Sequence, residues 1–495
     1  MRRLLVLACL ACALTGAPGA AALTVGVSDD AGKYSRDGGA SFFSSLHDLG
    51  GSENAIVVWF DAEHPTTIAE QPLLDASIAR AQLEGVRVVL DIYVRHAHDL
   101  SGNPAAVGQY AAFLQQLARR YPGVHDYIVG NEPNQPRFWQ PQFDGRGNPV
   151  SPAAYVRSLA AGYDALKAVD PGIRVLGFAL SERGNDNWKA PNNVSMSPLR
   201  FLARAGQAYR ASARAKPLMD AFAYHPYPRN PLDPIARGLG WPNAGVKDLD
   251  RVKQAVWDAF HGTAQPTFES GLELAITEIG WQVSIPRSSI AAYTGQENKT
   301  TTEEKTQAAI YGEVLRQLSC DPVASDLLFF HLVDETQLAG WQSGLIRADG
   351  TKRASYFTVQ KALSAGGGRC PGTPTSWRHA TGVVGFSARF PQGVTNAKTA
   401  ASWSLTVNAD EGASFVAGLV RVDGTPTVET VTASLASRAK VALRAAGRLK
   451  IGTQTAIAFP LRPVPPGRYV YAVRAVGELA PERASVAFSA PFTLR

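Results

Sequence analysis

Cysteine is scarce: the 495 residues hold four. Two of them, Cys9 and Cys12, fall in an amino-terminal stretch that reads as an export signal. Arg2 and Arg3 precede an apolar run from Leu4 to Leu14, and Gly19-Ala20-Ala21-Ala22 offers a small-residue cleavage site. Removing residues 1–22 leaves Cys320 and Cys370, an even pair bound for an oxidising compartment. We read them as one disulfide, the alternative being two unpaired buried thiols. Long hydrophobic runs are also missing. The leader run is well short of the roughly 20 apolar residues of a membrane span and no other candidate exists, so no span is expected. The expected location is outside the cytoplasm: secreted, periplasmic or at the cell surface. The apolar stretch before Cys9 or Cys12 is too short to favour a lipid anchor.

Runs of one charge are missing too. The formal charge is +7 and the pI near 9.2. The arginines are nevertheless scattered, neither clustered nor interleaved with aromatics, so no nucleic-acid partner is expected. Attraction to an acidic envelope polymer stays open. No glycine-rich G-x-G-x-x-G loop follows the first strand-like run, which argues against a dinucleotide fold. The pair His96-x-His98 has no clear third ligand, and neither metal nor cofactor is expected. With 45% hydrophobic residues, the chain suffices for one large core and a smaller one.

From residue 23 to 364, short apolar β-branched runs alternate with segments of helical period, the mark of βαβ units. The runs are Leu23–Val27, Ala55–Phe60, Val86–Tyr93, Asp126–Gly130, Arg174–Leu180, Asp220–Tyr224, Glu273–Thr277 and Leu327–Leu332. Helices are expected over Leu73–Leu83, Ala105–Arg120, Pro152–Val169, Pro198–Ala211, Leu249–Phe260 and Thr302–Leu318. The count alone also suits a doubly wound open sheet. The polar residues favour a (β/α)8 TIM barrel, because they gather at or just after the strand ends: Asp91 and Tyr93, Asn131-Glu132, Ser181-Glu182-Arg183, His225-Pro226-Tyr227, Glu278, Asp334-Glu335. A Gly/Pro-dense linker, residues 365–376, follows. Residues 377–495 are short, β-rich and punctuated by turns such as Pro465-Pro466-Gly467, and are expected to form an all-β sandwich that supports the barrel rather than binds sugar.

Two carboxylates stand out. Tyr127-Ile-Val-Gly130-Asn131-Glu132-Pro133 is a strand that ends on an amide and an acid. Leu274-Ala-Ile-Thr277-Glu278-Ile-Gly280-Trp281 is a second buried strand ending on a single Glu. Either alone is as compatible with a helix cap or an Arg partner. As a pair on the fourth and seventh strands they can face each other across a barrel axis. Glycosidic cleavage needs such a pair, one carboxyl to protonate the leaving oxygen and the other to oppose an oxocarbenium-like centre. The charge of the ionised member would disfavour ionisation of the other, keeping that one protonated as the acid until the first becomes a glycosyl ester and the second can act as base.

These motifs resemble clan A retaining glycoside hydrolases. Tyr224-His225-Pro226-Tyr227-Pro228, Trp341-Gln-Ser-Gly344-Leu345 and the barrel followed by a β-sandwich are most similar to family 39-like and family 5-like enzymes. Trp59-Phe60-Asp61 departs from family 5, where a rim Arg often stands. The resemblance implies Glu132 as acid/base, Glu278 as nucleophile, Asn131 on the sugar 2-hydroxyl, and His225 and Tyr227 on Glu278 or the sugar. Trp281 and Trp341 are candidate sugar platforms, with core packing the alternative, and Asp91 and Tyr93 occupy a rim where subsite contacts are expected. A satisfied core imidazole is the alternative for His225. The implied partner is a carbohydrate and the expected state a monomer. Two other functions stay open: transglycosylation at the same site, and a non-catalytic carbohydrate-binding or envelope-assembly protein, which would lack or displace one Glu.

Overall fold

The structure is a computed structural model that describes residues 22–392, 404–460 and 462–495. Residues 1–21 of the expected export signal lie outside the described residues. Eight strands, β1 (Thr24–Ser28), β2 (Glu53–Phe60), β3 (Arg87–Val94), β4 (Asp126–Val129), β5 (Arg174–Ser181), β6 (Ala221–His225), β7 (Glu273–Ile279) and β8 (Ala324–Phe329), close into a parallel barrel in chain order, with β8 pairing β1. Helices α1 (Ala40–Leu49), α2 (Gln71–Leu83), α3 (Pro104–Arg120), α4 (Ser151–Val169), α5 (Pro198–Ala211), α6 (Leu249–Phe260), α7 (Glu304–Ser319) and α8 (Ala354–Gly366) lie between and after them. The last strand ends earlier than its apolar run suggests, at Phe329 rather than Leu332. The Asp29 carboxylate takes the backbone N–H groups of Leu332 and Val333, at 3.0 and 2.9 Å, and turns the chain outward.

Alternation along the strands sorts the barrel interior into layers. At the amino-terminal ends, Glu53, Asp126 and Asp326 share the guanidinium groups of Arg87 and Arg174, with Arg87 Nη2 at 2.6 Å from Glu53 and from Asp326. Small and aliphatic side chains fill the middle, among them Ala55, Val89, Ile128, Ala223, Ala275 and Leu328. Gly26 is required there, since a Cβ would lie 2.0 Å from the Glu53 carbonyl oxygen. Above the apolar middle come Asp91 and then, towards the mouth, Tyr93, Ser181, His225, Thr277 and Glu278, so polar groups occupy both ends of the interior, and those at the carboxyl-terminal end face the mouth.

Cys320, just after α7, is bonded to Cys370, beyond α8, with Cα atoms 4.5 Å apart at the base of the barrel. The stretch that contains the expected linker is tied down rather than loose. Thr375 N donates to the Cys320 carbonyl at 2.7 Å, and His379 Nδ1 lies 2.7 Å from Glu269. Beyond it, β9 (Ser387–Arg389), β10 (Ser404–Asn408) and β13 (Thr455–Ala458) form one antiparallel sheet. β11 (Ala413–Arg421), β12 (Val441–Arg448), β14 (Gly467–Gly477), β15 (Ala484–Phe488) and β16 (Phe492–Leu494) form the other. Leu405, Val407, Leu419, Tyr471 and Val473 fill the space between them. A helix the β-rich composition does not announce, α9 (Val428–Ser437), covers the outer face of the larger sheet through Val431 and Leu435. Buried Arg483 joins this domain to the barrel, holding Glu411 at 2.6 Å and Asp258 of α6 at 2.9 Å. Among the described residues no helix is long and apolar enough to cross a membrane.

Candidate active site

Glu132 is placed by backbone that turns against its ordinary preference. After β4, Gly130 adopts φ 83° and Glu132 itself φ 37°. Its N–H donates to the Ala179 carbonyl at 3.1 Å, and Phe178 and Ala179 carry φ 78° and 42° where β5 bulges between Phe178 and Leu180. Each such non-glycine residue stores on the order of 1–2 kcal/mol, so the surroundings must over-determine it. The Tyr155 hydroxyl, from α4, donates to the Val129 carbonyl at 2.9 Å and accepts from Phe178 N–H at 2.6 Å, clamping the end of β4 to the bulge. The Asn134 amide spans the next step, bonding both N–H and carbonyl of Ser181 at 3.0 and 3.1 Å and the Met196 carbonyl at 3.0 Å.

Glu278 projects from the upper end of β7, where the pairing with β8 slips between Ile276 and Ile279. The Tyr227 hydroxyl donates to its Oε2 at 2.9 Å, and Tyr93 reaches Oε1 at 3.4 Å. His225 lies between the two acids: Nδ1 is 3.1 Å from Glu132 Oε1 and 3.7 Å from Glu278 Oε2, while Nε2 is 3.0 Å from Thr277 Oγ1. Burial holds His225 below its ordinary pKa, against the pull of Glu278, so the imidazole is neutral. The assignment that satisfies both nitrogens has Nδ1–H donating to Glu132 Oε1 and Nε2 accepting from the Thr277 hydroxyl. Glu132 Oε1 is then an acceptor, leaving Oε2 to carry a proton.

Burial pushes Glu132 up to about 7, against the opposing charges of Arg137 and Arg183. This refines the sequence expectation, since desolvation rather than the neighbouring anion is the leading cause. Burial and the Glu132 charge also raise Glu278, while His225, Tyr227 and His331 favour its ionised form. His331 is the cation here. Burial opposes its charge, yet Glu335 at 3.4 Å and Asp29 lift it to about 9. Glu132, His225 and Glu278 are also a set whose ligand atoms lie within 4.8 Å of one another, as are the more exposed Asp61, Glu63 and His64. In the first set both imidazole nitrogens and the Glu278 carboxylate already hold hydrogen-bond partners, which a cation would have to displace.

Two expected sugar contacts are corrected. Trp281 is 1% exposed, its backbone N–H bonded to Tyr311 at 3.2 Å and its ring packed in the barrel core, so neither indole face is open to a ligand. Asp91 is likewise 1% exposed, because Tyr93, two residues on along β3, occupies the layer above it. Burial, then the charge of Glu278, keeps Asp91 protonated well above its ordinary range. Trp341 is partly exposed and packs 5.4 Å from Tyr227. Asn131 is buried beside Glu132 with its Oδ1 unpartnered. His96 and His98 are exposed. Tyr155, Asn134, Thr277 and His331 were missed as site residues. Thr277 alone had a signal, an inward polar position one residue before a strand-end Glu.

No family model matches the chain, and no curated protein matches it. Solved structures do. A family 39 glycoside hydrolase of Bacteroides cellulosilyticus WH2 is 16% identical, over 82% of this chain and 74% of its own, with a TM-score of 0.48. A monomeric beta-xylosidase of Caulobacter crescentus CB15 is 16% identical over 89% and 95%, TM-score 0.46. A GH5 subfamily 18 protein of Bifidobacterium longum is 14% identical over 72% and 80%, TM-score 0.46. At such distances these are resemblances of architecture, and function is read from the side chains at the barrel mouth.

Proposed function

We propose that the chain is a retaining glycoside hydrolase of the clan A type, acting by double displacement with Glu132 as acid/base and Glu278 as nucleophile. The observation that carries this reading is the pair itself, with carboxylate oxygens within 4.8 Å of each other. Oxygens within that limit suit the close pair of a retaining enzyme, whose carboxyl groups stand roughly 5 to 5.5 Å apart, better than the roughly 6.5 to 9.5 Å that leaves room for an attacking water. Glu278, whose ionised form is favoured by the Tyr227 hydroxyl bond and the charge of His331 against the opposing effect of burial, attacks the anomeric carbon. Glu132, kept protonated by burial, gives its proton to the departing oxygen. Conversion of Glu278 to an ester removes a neighbouring negative charge, Glu132 ionises, and it takes a proton from the water that releases the sugar. An acceptor sugar in place of that water gives transglycosylation.

Trp341 would offer an apolar face to the sugar and Asn131 a contact to its 2-hydroxyl. The chain acts as a secreted monomer on an extracellular polysaccharide or glycoconjugate. The non-catalytic alternative requires one acid to be missing or displaced, and both are at the mouth.

The test is a panel of aryl β-glycosides and cell-wall polysaccharides with wild type beside Glu278→Gln. Turnover should fall at least about a thousandfold in the variant, and activity persisting there overturns the nucleophile assignment. Glu132→Ala should keep some turnover of activated aryl glycosides and be accelerated by azide. NMR of the first-formed product should show a retained anomer, and an inverted one refutes the mechanism.

A further inference from the structure

Three loops wall the side of the mouth next to Glu132: residues 130–150 after β4, 182–197 after β5 and 226–245 after β6. They carry exposed Arg137, Arg183 and Arg229 close in, and exposed Arg146 and Lys189 farther along. Among the described residues Arg137 and Arg229 have no carboxylate within 4.0 Å. Arg183, its side chain 56% exposed, gives Nε to Glu182 at 3.0 Å and Nη1 to the Arg229 carbonyl at 3.3 Å, which leaves Nη2 uncommitted. The acids of the same loops are spoken for. Asp186 holds Ser197 and Arg200, Asp233 holds Arg237, and Asp144 accepts from its own turn. Aromatic surface is interleaved with the cations. Arg137 lies 5.5 Å from the Phe138 ring, and Trp188, 40% exposed, lies against Gly147 with Lys189 Nζ 4.6 Å from its ring.

A general acid protonates the leaving group, so the saccharide that departs must lie over Glu132 and away from Glu278. We infer that this leaving-group side is a binding site for an acidic sugar residue, one bearing a carboxylate, received by Arg137, Arg183 and Arg229. The inference rests on the glycosidase reading and names its substrate class. Planar guanidinium groups bind carboxylates in paired hydrogen bonds, and aromatic faces take the apolar side of a sugar ring. The basic rim also has a consequence for the chemistry. Arg137 and Arg183 both favour ionisation of Glu132, which works against its role as acid. A bound carboxylate cancels that pull, so an acidic leaving group restores the proton on the residue that must donate it.

The experiment uses the full chain carrying Glu278→Gln, and calorimetry with uronic-acid tetrasaccharides of three different backbones, neutral tetrasaccharides of matching linkage, and a sulfated, uronate-free tetrasaccharide. At least one uronic-acid ligand should bind about tenfold or more tighter than its neutral counterpart. The advantage should shrink as salt is raised and vanish when Arg137→Gln and Arg229→Gln are added. Equal affinity for acidic and neutral ligands, absence of binding by every acidic one, a preference for the sulfated ligand, or an advantage that survives the two substitutions overturns the inference. Aryl β-glycosides, whose leaving group has no carboxylate, report on the catalytic reading separately. No turnover of any of them by wild type, with uronate binding intact, refutes the glycosidase and leaves the binding site standing.

Discussion

Replacing Glu132 by Gln removes a titratable group and leaves the shape of the site almost unchanged, so it isolates what burial of that carboxyl does. In the folded chain Glu132 is lifted from an ordinary 4.5 to about 7, with desolvation the leading cause, and its side chain is only 16% exposed. A displacement of about 2.5 pH units, at about 1.4 kcal/mol each, corresponds to about 3 kcal/mol. The sign follows from proton counting. Between pH 4.5 and 7 the folded chain holds this proton and the unfolded chain does not, so stability falls as pH rises across that window. Below it both forms are protonated, and above it both are ionised with the folded form bearing the full penalty. Glu132→Gln should therefore gain on wild type by about 3 kcal/mol between pH 4 and pH 9. Differential scanning calorimetry at a series of pH values, following the barrel transition apart from that of the β domain, measures the gap. A gap that stays flat across pH refutes the claim that Glu132 is held protonated by burial.

Tyr227→Phe deletes the 2.9 Å hydrogen bond to Glu278. Losing a donor to the anion should move the acidic limb of the kcat/KM profile upward by roughly 1–2 pH units, while the basic limb stays in place. Tyr155→Phe leaves the Val129 carbonyl and the Phe178 N–H without their shared partner. We expect a loss of about 2 kcal/mol in thermal or urea unfolding, with kcat reduced and the pH limbs unmoved, because Glu132 is displaced rather than retitrated. Cys320→Ser opens a cross-link spanning 50 positions, and the barrel should lose about 4 kcal/mol of stability with little change in KM.

The two acids were legible because each ends a strand that is apolar on both sides of its pleat, and in a barrel the end of a strand is a fixed place in space. Once β4 and β7 were located, Glu132 and Glu278 were located too. Strand-end logic did less well with the residues around them. It promoted Asp91, although a side chain two residues short of the rim is roofed by the next inward one, here Tyr93. It also promoted Trp281, which follows Gly280 past the end of β7 and turns into the core. What the sequence withheld most completely is how Glu132 is aimed. Its left-handed backbone is held by an Ala179 carbonyl presented by a bulge, and that bulge is held by a hydroxyl on α4. Nothing in Phe178-Ala179-Leu180 marks a bulge: there is no glycine to permit positive φ and no proline to break pairing. The conformation exists because Tyr155 and Asn134, distant in sequence, over-determine it. The acid of the proposed reaction is thus encoded locally, while its orientation is encoded in tertiary contacts. For that reason Tyr155, which has no access to a substrate, should matter to turnover as the hydrogen-bonding groups at the mouth do.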